Sequence, residues 1–196
     1  MPYHYEATSE FMQSVSEVEK LVALASSDDE NRTLFLKLAA VSLVTKFQVF
    51  VEKALDEFRY KLNGMTSGRL SLYMKMNAIR LSIKDGNVLT GIQKHNNFTE
   101  EKKNQIVNYL NSISFISDDD AKIDKSFMFT TKFPLGKTGK EDLKDLLSQI
   151  DGNQNPFESF NTDDFDKLDS ILQTRHLIVH QDRFNGTETT VADSIT

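Results

Sequence analysis

The chain contains no cysteine, so it has neither a disulfide framework nor a thiolate metal site nor a cysteine nucleophile. A reducing, intracellular setting follows as the expectation. Proline and glycine are scarce, three and eight among 196 residues, and hydrophobic residues make up 39% against 27% charged. That composition excludes a fibrous or disordered chain and fits a soluble, helix-rich one. Uninterrupted apolar runs are short of a membrane span, and the first residues, Met1-Pro2-Tyr3-His4-Tyr5-Glu6, form neither a basic nor an apolar leader region. A cytoplasmic protein without membrane contact is expected. A positive excess is missing too: the net charge is -6 and the pI near 5.3. Nothing draws the whole molecule to nucleic acid, so any RNA contact must rest on local basic patches.

Apolar spacing of three and four residues supplies most of the remaining signal. Glu10 to Ala25 carries Phe11, Val15, Val18, Leu21, Val22 and Ala25 at helical spacing behind Ser9, a residue type that caps helices. From Asn31 to Leu62 the repeat Leu34, Leu38, Val41, Val44, Phe47, Val51, Leu55, Phe58, Leu62 predicts a long core helix. Asn63 to Gly68 reads as a turn. A helix follows over Leu70 to Lys84 with Leu72, Met76, Ile79 and Ile83 inward, and another begins behind Thr99 and ends near Ser114 with Ile106, Val107, Leu110 and Ile113. Residues 115–140 lose the period, and Phe127-Met128-Phe129-Thr130-Thr131 has the content of an extended segment or short hairpin. Further helices are expected over Lys140 to Ile150 and from a Thr162 cap onward, where Asp163, Asp164 and Asp166 favour the positive helix end. The expectation is an all-α bundle of about five to seven helices, one domain over 1–185 with an irregular insertion near 115–140 and a flexible tail over 186–196.

The last helix holds the most informative stretch, Leu172-Gln173-Thr174-Arg175-His176-Leu177-Ile178-Val179-His180. Ile171, Leu172, Ile178 and Val179 lie three and four residues to either side of Arg175, so its Cα sits in the middle of an apolar face, where an unused charge is costly. His176 and His180 share one face. Arg175 and His180 are five residues apart, about 140° round and about 7.5 Å along an ideal helix, so one helix does not converge them. Two copies meeting across a two-fold axis would, and a homodimer is expected.

At these residues the chain resembles the HEPN superfamily, all-α domains whose ribonuclease members carry an arginine, four to six residues, then a histidine. Arg175, His176 and His180 match the short form of that pattern, late in the chain and opposite a long early helix, over residues 31–62 and 162–184. The resemblance implies metal-independent RNA cleavage that leaves a 2′,3′-cyclic phosphate, with no cofactor. It gives His180 proton transfer at the ribose 2′-hydroxyl, gives Arg175 the scissile phosphate, and gives His176 an orienting role. It also implies a toxin or effector in a prokaryotic defence or toxin-antitoxin system, restrained by an inhibitory antitoxin or partner protein. Many HEPN families place an acid in the early helix facing the motif; here Gln48 stands there, with Glu52 one turn later.

Other readings compete. Arg175 could be structural, paired with an acid such as Glu52 or Asp56. The module could be noncatalytic, binding a nucleotide, RNA or a partner protein. His176 and His180 have the spacing of two metal ligands but no third, so no metal is expected. Gly136-Lys137-Thr138 imitates the end of a phosphate-binding loop, but Thr131 stands where the loop needs its first glycine. Two basic stretches could track a phosphate backbone: Arg69, Lys75, Arg80 and Lys84, and Lys122, Lys125, Lys132, Lys137 and Lys140 interleaved with Phe127, Phe129 and Phe133. Arg69, Lys75, Arg80, Lys132 and Lys137 are the expected RNA contacts. A solvated lysine face over a phenylalanine core is the plainer account of the same residues.

Overall fold

A computed structural model describes residues 5–82, 99–123, 132–133, 139–151, 162–184 and 191–192. Its described elements are α1 (Glu6–Ser27), α2 (Arg32–Leu62), a short 3-10 turn (Ser67–Arg69), α3 (Leu72–Ser82), α4 (Glu100–Ser117), α5 (Gly139–Asp151) and α6 (Thr162–Gln181). The all-α expectation holds. The residues form two compact units, one of 1–57, 131–146 and 155–196, the other of 58–130 and 147–154, so α2 and α5 each run through a boundary.

In the first unit, Val15, Val18 and Ala25 of α1 pack with Leu36, Ala39, Ala40, Leu43 and Val44 of α2 and with Ile171 and Leu172 of α6. Burying these aliphatic side chains is the main force holding the three helices together. Phe11 of α1 stacks on Phe50 of α2 with ring centroids 4.9 Å apart. Val191, inside the segment expected to be a flexible tail, is fully buried in this same core. Its aliphatic side chain is better placed among Val18 and Leu43 than in water.

Helix existence was legible; helix ends and phases were less so. α1 begins at Glu6 rather than behind Ser9, and the side chain of its cap Tyr5 makes no cap hydrogen bond. Glu57 of α2 serves instead, taking the backbone N–H groups of Glu6 and Ala7. Leu34 and Leu38, expected inward, are 53% and 48% exposed, while Leu36 and Leu43 are buried in their place. By length and composition α2 also reaches the range of a membrane-crossing helix, against expectation, though 33% of its most apolar 18-residue window is buried in the core. Its Lys37 and Lys46 are held by Asp182 and Glu17.

In the second unit the small core is Leu62, Leu70, Met74 and Ile123, with Phe58 and Ile150 against it. Leu72 and Met76 of α3 and Val107 and Leu110 of α4, expected inside, are more than half exposed. Thr99 caps α4 as expected, accepting the Lys102 N–H. The segment after α4 pairs back on the 64–68 turn: Ile123 donates to Met65 and Gly64 donates to Ile123, each at 2.8 Å, and Thr66 bridges antiparallel to Lys122. Gly64 has φ 83, a left-handed backbone that suits glycine. The extended reading of Phe127 to Thr131 lies outside the described residues.

Candidate functional site

α6 carries the candidate residues Arg175, His176 and His180 just beyond two buried aliphatic residues. Ile171 and Leu172 are 3% and 4% exposed, and Thr174 is buried with its hydroxyl donating to the Ser170 carbonyl at 2.9 Å. This back-bonding satisfies a buried hydroxyl without calling on another element. α5 presses against the same stretch. A Cβ on Gly139, at the first turn of α5, would run into the Leu172 side chain, which would have to shift to admit it.

Arg175 follows at once. It is half-buried, and its Nε is fully buried with no hydrogen-bond partner. Among the described residues no acid pairs with it. Glu52, one of the two acids considered for that role, is otherwise engaged: its carboxylate accepts the Phe133 N–H at 3.2 Å, Gln48 Nε2 at 3.4 Å and Lys132 Nζ at 3.3 Å. Burial pushes the Glu52 carboxyl up, and these donated hydrogen bonds outweigh it, leaving it below the usual carboxylate range. Gln48 is drawn into the same cluster, donating also to the Phe133 carbonyl at 3.2 Å. Neither side chain is aimed at Arg175. Among the described residues the Arg175 Nε is thus a buried donor without an acceptor.

His176 is half-buried and His180 exposed, and their rings lie 4.5 Å apart at 48°. The i, i+4 spacing thus brings the two imidazoles together, while the turn of the helix directs Arg175 elsewhere. No cluster of three or more His, Asp or Glu forms among the described residues. α6 ends in a left-handed residue, Asp182 at φ 50, whose N–H closes on the Ile178 carbonyl at 3.1 Å. Lys37 of α2 bonds Asp182 twice, to its carbonyl at 3.0 Å and to its carboxylate at 2.6 Å. Sequence reading missed this pair. A lysine inside an apolar helix, and an aspartate just beyond a helix end, were the available signs.

The expected RNA contacts fare unevenly. Arg69 is exposed at the 3-10 turn. Lys75 is 7% exposed and its ammonium is bound by Asp119 at 2.9 Å, because α3 carries it to the 118–121 loop rather than to solvent. Lys132 is exposed but paired with Glu52. Phe133, considered for base stacking, is 1% exposed and packs edge-on against Phe47 at 6.2 Å, so it is a core residue. The Arg80 side chain and Lys137, like His4, His95 and the Gly136-Lys137-Thr138 turn, lie outside the described residues.

The RiboL-PSP-HEPN family model matches residues 9–196. This chain belongs to the RiboL-PSP-HEPN family. The match takes in every described helix but for the first residues of α1, so the HEPN reading of the fold extends well beyond the stretches that first suggested it. No curated protein and no solved structure matches this HEPN chain.

Proposed function

We propose that this HEPN domain is a metal-independent endoribonuclease that works as a homodimer. The observation that carries the reading is Arg175, a cation next to core residues in sequence, with a buried, unpartnered Nε and no acid paired with it among the described residues. A buried donor left unsatisfied costs about 1–3 kcal/mol, and a phosphate oxygen would supply the missing acceptor. His180 supplies proton transfer. In one copy it takes the proton of the ribose 2′-hydroxyl, whose oxygen then bonds to phosphorus; the phosphorus–O5′ bond breaks, and a proton from the imidazole of the second copy goes to the departing 5′-oxygen. The products are a 2′,3′-cyclic phosphate and a 5′-hydroxyl. Arg175 neutralises the charge that grows on the non-bridging oxygens, and His176, in ring contact with His180, orients it.

Two copies are needed because Arg175 and His180 diverge on one helix. An apolar face for the second copy is available on this unit: Leu34, Leu38 and Val49 of α2 fall on one side of the helix and are 53%, 48% and 46% exposed, and Val179 of α6 is 50% exposed. Arg69 and Lys132 are the described residues that could steer RNA. A role as toxin or effector in a prokaryotic defence or toxin-antitoxin system, held in check by a partner protein, fits such an activity.

The test is incubation of purified protein with mixed RNA in EDTA beside folded Arg175→Ala and His180→Ala variants. Cleavage by the native protein, with cyclic-phosphate ends and loss in both variants, is the expected result. Equal cleavage by all three overturns it. RNA retention without cleavage gives the noncatalytic binding module instead.

A further inference from the structure

His180 occupies the last turn of α6, which closes at Gln181. Last turns fray, since their carbonyls have no partners further along the helix, and a general base on a fraying turn would sample many positions. In this chain the turn is fixed from three sides. Asp182 adopts the left-handed conformation and its N–H closes on the Ile178 carbonyl, while the next N–H, of Arg183, reaches the Leu177 carbonyl at 3.2 Å. Phe184 then folds back onto the core that holds Ile171 and Leu172. Lys37 arrives from α2 and bonds both the carbonyl and the carboxylate of Asp182.

The choice of residue is the telling part. Glycine is the least strained occupant of a left-handed cap, and aspartate is tolerated there at some cost. What aspartate adds is a carboxylate, and Lys37 uses it. Lys37 is also four-fifths covered, its side chain 21% exposed, so its stem is already held by packing before the ammonium makes its bonds. The other lysine of this stretch of α2, Lys46, has the same exposure, 20%, and the same kind of bond, 2.7 Å to Glu17, but it ties α2 to α1 rather than to the end of α6.

We propose that Lys37 and Asp182 are positioning residues for His180, clamping the final turn of α6 to α2 so that the imidazole is presented in one place. The proposal rests on the ribonuclease reading of that helix, but its first readout does not need activity. Lys37→Met removes both bonds of the clamp. Asp182→Gly removes the carboxylate while keeping a residue at home in the left-handed backbone, so the fold survives. Lys37→Arg retains the charge and the donors, and Lys46→Met breaks the matching pair elsewhere on α2.

The measurements are hydrogen exchange of the Asp182 and Arg183 amides and the ring resonances of His180, identified through His180→Gln. In Lys37→Met the two amides exchange about tenfold faster and the His180 resonance shifts and broadens; Asp182→Gly moves the same signals the same way. Lys37→Arg restores them, and Lys46→Met leaves them as in the native protein. On RNA, kcat falls about tenfold in Lys37→Met with KM unchanged, as for loss of alignment rather than of binding. Amides and ring signals that stay native in both clamp variants overturn the proposal, as does Lys46→Met matching Lys37→Met. A native protein that cleaves no RNA overturns the ribonuclease reading alone, since exchange and resonances still decide the clamp.

Discussion

The Glu57 carboxylate, late in α2, accepts the Ala7 backbone N–H at 2.6 Å and, through its other oxygen, the Glu6 N–H at 3.0 Å. A residue fifty positions away thereby does what the N-cap residue usually does, and Tyr5, whose side chain makes no cap hydrogen bond, can stand at the helix start. The negative charge also faces the positive end of α1. Glu57→Ala is expected to lower the unfolding free energy by about 1–2 kcal/mol, the usual range for losing a cap. The urea midpoint falls while the m-value stays constant. Glu57→Gln, which keeps one acceptor oxygen, recovers part of the loss.

Glu52 makes stability depend on pH, and the direction can be worked out. Burial raises its pKa, but the Phe133 N–H, Gln48 and Lys132 together hold it below the ordinary 4.5. The unfolded chain therefore binds more protons than the folded one in this range, and stability rises with pH. The contribution is complete above about pH 4.5 and disappears as the pH falls through the lowered folded value. The difference in unfolding free energy between the native protein and Glu52→Gln should shrink as the pH falls from about 4.5 through the lowered folded value. A difference that does not vary with pH removes Glu52 from the linkage.

These two carboxylates show where sequence reading ran out. The helices were legible because apolar residues recur every three or four positions, and Val15, Val18 and Ala25 of α1 were assigned to the core from that spacing alone. In α2 the same rule misled. Leu34, Leu36 and Leu38 are all apolar, so two phases fit equally well, and only packing against Ile171 and Leu172 selects Leu36. At the site, Arg175 and the histidines were legible because a charge in an apolar stripe stands out. Glu57, Glu52 and Asp182 act across 50, 81 and 145 positions of sequence, on Ala7, Phe133 and Lys37. No local pattern announces such partners.

The exposed side of α2 bears on assembly. Leu38 is 48% exposed between Leu34 and Val49, so a glutamate there buries no charge in a single copy and leaves the folded monomer close to native stability. Across a self-complementary apolar interface the same change sets two like charges into one contact, since each copy presents it. Leu38→Glu should therefore sediment as a monomer while its melting temperature in dilute solution moves little. On the proposed composite site RNA cleavage should fall with it, because Arg175 and His180 of the two copies would no longer meet. A variant that remains dimeric places the interface elsewhere on the molecule.

Arg175 offers the sharpest separation between architecture and function. A buried arginine held in an ion pair is expensive to remove, about 3–5 kcal/mol, because its acid is left without a partner. Here no described acid would be abandoned, and a buried donor with nothing to bond would disappear. Arg175→Met keeps an unbranched stem among Ile171, Leu172 and Ile178, so packing is largely retained. Its unfolding free energy should accordingly match the native protein or exceed it by about 1 kcal/mol, while RNA cleavage is lost. Function kept at the expense of stability is the pattern expected of a binding residue. Loss of several kcal/mol in Arg175→Met, together with loss of cleavage, would mean that the arginine holds the helices together and that its part in chemistry must be shown by other means.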